Sequence, residues 1–109
     1  MFTLKIIVNV TPYKKLEFEN ALTELISKIK VNTNNFSNGV KKDLTDDTLY
    51  YFEESWKSKK KMEEHFQSEL FQTIIGAMRV LGEIISAKII TSENEEEINI
   101  TNLNISRRN

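Results

Sequence analysis

The stretch 49–82, LYYFEESWKSKKKMEEHFQSELFQTIIGAMRVLG, decides the fold. Residues 48–56 are rich in aromatic side chains and hold no Gly or Pro, which predicts a strand. Alternation puts Tyr50, Phe52, Glu54 and Trp56 on one face and Leu49, Tyr51, Glu53 and Ser55 on the other. Each face carries an aromatic ring and a carboxylate, so neither reads as a plain solvent face. After Trp56 the period changes. Ser58 is a predicted N-cap, and Met62 and Phe66 share a helical stripe with His65 beside them. Ser68 is a second N-cap. Beyond it Phe71, Ile74, Ile75, Met78 and Leu81 make the apolar stripe of an amphipathic helix, and Gly82 stands at its expected end.

Working outward, residues 2–10 are a nearly continuous apolar run, which suits a strand covered on both faces. Phe2, Leu4, Ile6, Val8 and Val10 form one row, and Thr3, Lys5, Ile7 and Asn9 the other. Thr11-Pro12 opens a helix whose stripe of Phe18, Ala21, Leu22, Leu25, Ile26 and Ile29 runs to about residue 30. Residues 32–35 are a polar loop. A second strand is expected over 36–44, with a bulge at Gly39, and Thr45-Asp46-Asp47 turns it into the strand at 48–56. Residues 84–91 predict a fourth strand, and 93–97 an acidic linker. The tail from Ile98 to Ile105 alternates weakly and reads either as a fifth strand pairing with a partner chain or as unstructured chain.

These elements divide into a domain over 1–92 and a tail over 93–109. The order β-α-β-β-α-β is the split βαβ arrangement: an α+β, ferredoxin-like fold with helices on one face of an antiparallel sheet. The other sheet face needs cover. With the apolar row of the first strand assigned to that face, a two-fold homodimer packed sheet against sheet is expected.

A chain of 109 residues makes one domain with a real but small core. Its net charge of -1 offers no electrostatic footprint for nucleic acid. It has no cysteine and one histidine, which rules out disulfides, thiolate chemistry and a polyhistidine metal site within one chain. The apolar start lacks a basic n-region and a cleavage site and is too short to span a bilayer, so a cytoplasmic protein with no membrane partner is expected. The sequons at Asn35, Asn99 and Asn104 read as chance in an Asn-rich chain.

Three residues stand out as carriers of chemistry, each with a bland alternative. Trp56 is either core or a wall for an aromatic ligand. His65, with an imidazole suited to proton transfer near neutrality, is either structural or a general base. Asn9 is either a satisfied turn residue or a hydrogen-bond donor into a pocket. Lys57, Lys59, Lys60 and Lys61 read as a solvated face, the alternative being an entrance for acidic substrates. Glu53 and Glu54 point to opposite faces and are not a paired-carboxylate site. No phosphate loop, dinucleotide fingerprint or Ser/His/Asp constellation occurs.

Phe52-Glu53-Glu54-Ser55-Trp56-Lys57-Ser58, followed by Met62-Glu63-Glu64-His65-Phe66-Gln67-Ser68 and Phe71, resembles the antibiotic biosynthesis monooxygenase family. The resemblance covers about residues 2–91. It implies a dimeric α+β barrel with a pocket between helices and sheet, and an oxygenase that needs no cofactor and no metal. The substrate class it implies is a small phenolic or quinol-like molecule, oxidised by dioxygen. By position, Trp56, His65 and Asn9 would be catalytic, and Tyr50, Phe52, Phe66, Phe71, Ile75 and Met78 would bind substrate. A heme-degrading branch of the family places an Asn near Asn9 and an iron-ligating His where Ile75 stands here, and Ile cannot ligate iron. Strand two lacks the family's usual Pro-Gly start. A non-catalytic small-molecule-binding dimer is the alternative function, with heme handling third.

Overall fold

A computed structural model of the chain describes residues 1–32 and 37–99, the side chains of 30–32 excepted. Its sheet is antiparallel, in the order β2-β3-β1-β4-β5, with β1 at Phe2–Val10, β2 at Ser37–Lys42, β3 at Leu49–Trp56, β4 at Gly82–Ile90 and β5 at Glu95–Glu97. Three helices, α1 at Lys15–Asn32, α2 at Lys59–Phe66 and α3 at Glu69–Leu81, complete an α+β, ferredoxin-like fold with one more strand than the expected four.

The central strand β1 corrects one expectation. Leu4, Ile6, Val8 and Val10 are at most 1% exposed and belong to the single core with the helices. This row is therefore not the second face of the sheet. That face carries Thr3, Lys5, Ile7 and Asn9, flanked on β3 by Leu49, Tyr51, Glu53 and Ser55. The β1–β4 register shifts between Ile7 and Val8, which leaves Ile85 exposed, whereas β2 pairs with β3 without interruption through Gly39 and the expected bulge is absent.

Helix α1 starts later than Thr11-Pro12 suggested. A 3₁₀ turn at Pro12–Lys14 comes first, and the Thr11 side chain makes no capping bond. The two serine caps form as expected: Ser58 accepts from the Lys61 amide and Ser68 from the Phe71 amide, at 3.3 and 3.1 Å. At the hairpin, Asp43 accepts from the amides of Thr45 and Asp46 and from the hydroxyls of Thr45 and Tyr51. These donors hold its carboxyl down to about 2.

The predicted acidic linker is in part β5. Glu95–Glu97 pairs with Lys88–Ile90, and Lys88 Nζ reaches the Glu95 carboxylate at 3.6 Å. Tertiary pairing overrides the low strand propensity of three glutamates. The remainder of the expected tail strand from residue 100, and the start of the expected second strand at Phe36, lie outside the described residues.

Gly82 ends α3 and begins β4 with no loop between them. Its backbone is extended, so it is not a left-handed cap. It is glycine because β1 passes close: a Cβ there would lie 2.5 Å from the Asn9 carbonyl oxygen and 2.8 Å from Val10 Cα. Backbone atoms cannot yield as a side chain does. Gly82→Ala is expected to cost about 1–3 kcal/mol, read as a lower urea midpoint at unchanged m-value.

Candidate active site

The sheet's helix-facing side, where β3 meets α2 and α3, holds an ionisable pair. Glu54 comes from β3 and His65 from the last turn of α2, which the Ser58 cap and the Met62/Phe66 stripe seat on the sheet. His65 Nε2 and Glu54 Oε2 are 3.0 Å apart, and the two side chains are 2% and 0% exposed. Among the described residues the second atoms of the pair, Glu54 Oε1 and His65 Nδ1, have no hydrogen-bond partner. Burial pushes the Glu54 carboxyl above the usual carboxylate range, and the hydrogen bond to His65 and its charge pull the other way.

Aromatic rings close around the imidazole. Trp56 lies 5.1 Å from it between centroids and Phe71 5.3 Å. Phe66 completes the cage, 4.9 Å from Phe71 and 6.1 Å edge-on to Trp56. Phe66 also lines a surface cleft of about 610 Å³ between α2 and the sheet. Its apolar walls are Phe2, Met62, Phe66 and Ile89, and Lys59, Glu63, Gln67, Thr91 and Glu96 bring polar groups. Phe66 thus lines the cleft and touches the two rings that pack on the imidazole.

The structure brings Trp56, His65, Phe66 and Phe71 together. Ile75 and Met78 lie in the same core at 1% and 0% exposure, as filling rather than as the lining of this cleft. Phe52 is buried likewise. Asn9 is exposed on the opposite face of the sheet and does not meet His65. The reading of a polar residue on a buried row fails because Asn9 shares its face with Thr3 and Lys5.

Tyr50 is committed elsewhere. Its hydroxyl donates to Glu19 of α1, and its ring packs at a tilt 4.9 Å from Phe18. Lys42 reaches the same carboxylate at 3.3 Å. The Tyr50 bond, foremost, holds the Glu19 carboxyl below its usual range, while burial first and Glu19 second raise the phenol. Tyr50→Phe is expected to lower stability by about 1–2 kcal/mol in urea unfolding and to leave ligand binding intact.

Glu54 is the residue that sequence reasoning left unused. It shared a face with Trp56 in the alternation, and that parity was the available signal. Among the described residues no cluster of His, Cys, Asp and Glu is built to hold a metal ion. Ile75, where a heme-degrading relative would place a His, offers hydrocarbon alone, so these residues do not fit a heme iron. No described helix is long and apolar enough to cross a membrane.

The family model described as antibiotic biosynthesis monooxygenase matches residues 1–77. A proposed antibiotic biosynthesis monooxygenase from Caulobacter crescentus CB15 superposes with a TM-score of 0.73 at 21% identity, covering 82% of this chain and 86% of that one. One from Nitrosomonas europaea gives 0.72 at 16% identity, covering 86% and 100%. A conserved protein from Methanosarcina mazei Go1 gives 0.70 at 21% identity, covering 82% and 87%. At these identities the structures share the fold. No curated protein matches the sequence.

Proposed function

This chain belongs to the antibiotic biosynthesis monooxygenase family, and from that premise we propose that it oxidises a small phenolic or quinol-like molecule with dioxygen, without metal or organic cofactor. The observation that carries the reading is the His65–Glu54 pair, packed by aromatic rings that touch Phe66 of an open cleft. A core stabilised by packing has no need of an ionisable pair, and such pairs concentrate at working sites.

The substrate itself supplies the electrons. An ionised anthrone-type carbon acid transfers one electron to dioxygen, and the resulting radical and superoxide combine to a hydroperoxide. Loss of water then leaves a carbonyl. The balance is R2CH2 + O2 → R2CO + H2O, with no outside reductant. The protein contributes orientation, a dry wall of Trp56, Phe66 and Phe71, and proton handling at His65. In this reading the substrate enters from the cleft past Phe66.

A two-fold homodimer belongs to this reading. The outer sheet face carries Ile7, Leu49, Tyr51 and Ile90 half-buried among charged neighbours, a mixed surface that a second copy would cover. A cytoplasmic location is part of it too.

The test is oxygen uptake by purified protein against anthrones and hydroquinones, with Trp56→Phe and His65→Ala beside the parent. Protein-dependent uptake that falls at least tenfold in either variant supports the reading. Binding of the same compounds without uptake replaces it with a binding module, the function that the closed packing of Phe71, Ile75 and Met78 favours.

A further inference from the structure

We infer that Glu54 and His65 act as one unit that keeps a single proton, and that its free end, His65 Nδ1–H, is the hydrogen-bond donor for an anionic oxygen of the ligand. The inference rests on the proposed function only in naming that oxygen as a phenolate or enolate.

Three protonation states are open to two buried groups 3.0 Å apart. With two protons, a neutral carboxyl faces an imidazolium and the site carries a positive charge. With none, a carboxylate faces a neutral imidazole and the site is negative. With one proton the net charge is zero, whether the carboxyl or Nε2 holds it. Burying an uncompensated charge is the costly option.

Among the described residues no charge outside the pair compensates it. Opposite Glu54 stand Leu4 of β1 and Asn38 of β2, and Phe52 and Trp56 flank it on β3. Helix α2 adds Met62 and Phe66 to the buried side, and α3 adds Phe71. Lys59, Lys60, Lys61, Glu63 and Glu64 of α2 and Glu69 and Arg79 of α3 are exposed. Lys5 and Glu53 lie on the far face of the sheet. Among the described residues His65 is the one charge that acts on Glu54.

Both one-proton forms share a feature. If the carboxyl donates to Nε2, the neutral imidazole carries its hydrogen on Nδ1. If Nε2 donates to the carboxylate, the ring is an imidazolium and Nδ1 carries a hydrogen again. The atom without a partner is therefore a donor in either form. It seeks an acceptor, and an oxyanion is the strongest when its charge is met by the imidazolium form. The pair then selects a substrate already ionised rather than deprotonating a neutral one.

His65 is the chain's sole histidine, so one imidazole gives the whole ring-nitrogen spectrum. In the ligand-free parent, ¹⁵N NMR is expected to show Nδ1 protonated at neutral pH. A bare Nδ1 overturns the inference and leaves an oxygenase with His65 as base standing. A protonated Nδ1 without oxygen uptake upholds it while the oxygenase reading fails.

Stability gives a second readout. Above about pH 7.5 the unfolded chain has released nearly all of both protons. The folded chain keeps one. The unfolded state then binds fewer protons than the native state, so raising pH favours unfolding, by up to tenfold in the equilibrium constant per pH unit from this pair. In Glu54→Gln that contribution is expected to vanish. A slope equal in both proteins contradicts proton sharing, and the NMR result decides alone if the variant does not fold. For the donor, a nitrophenol whose phenolate absorbs visible light is the probe. It is expected to bind as phenolate, at least tenfold tighter than as phenol, and to move the Nδ1 resonance. Binding only as neutral phenol, or none, overturns the oxyanion assignment.

Discussion

Replacing His65 by Leu is expected to cost the fold roughly 3 kcal/mol, Glu54→Leu about as much, and the double substitution far less than their sum. The asymmetry follows from burial. Each single change strands a polar group that has 2% or less of its side chain in contact with solvent and no alternative partner among the described residues. Leu at both positions fills similar volume with hydrocarbon and leaves nothing unsatisfied. Urea unfolding of the four proteins at one pH measures the cycle. A coupling energy near zero would mean that the 3.0 Å contact is not made in solution. A double variant near parental stability that no longer binds or oxidises any ligand would locate the pair's value in function, since the fold would have lost nothing by its removal.

Phe71→Ala is expected to be at least as damaging, about 3–5 kcal/mol. Phe71 is fully buried at the first turn of α3, and its ring touches both His65 and Phe66. Truncation removes both ring contacts and leaves a void beside the imidazole. The void is apolar and close to the 610 Å³ cleft, so small aromatic molecules should refill it. The thermal midpoint should therefore fall without ligand and recover in part with benzene or phenol, while the same additives leave the parent unaffected. Equal stabilisation of the parent would show general solvent effects rather than a cavity at this site.

Much of this architecture was legible from local rules. Ser58 and Ser68 cap α2 and α3 as their positions demanded, and the α3 stripe from Phe71 to Leu81 is the buried set. These features are set by neighbours in sequence. The missed features depend on what comes alongside in space. Asn9 lies in a row with Thr3 and Lys5, but the apolar density of β1 hid which row faces the helices. Glu54 was visible on the Trp56 face, yet its partner sits eleven positions on, across the β3–α2 corner. Gly82 looked like a helix stop, and only the approach of β1 explains it. Residues 95–97 carry no strand signal, and they become one because Lys88 and the edge of β4 receive them.

That last strand has a bearing on colloidal behaviour. A sheet margin is a template for stacking copies of the same chain, and β4 is mostly apolar or half-buried. Three consecutive exposed glutamates, laid along it as β5, present mutual repulsion to any incoming strand. The protection depends on ionisation and fades as the carboxylates protonate. Light scattering is expected to stay flat at neutral pH and to rise below about pH 4.5, earlier in Glu95→Gln/Glu96→Gln/Glu97→Gln than in the parent.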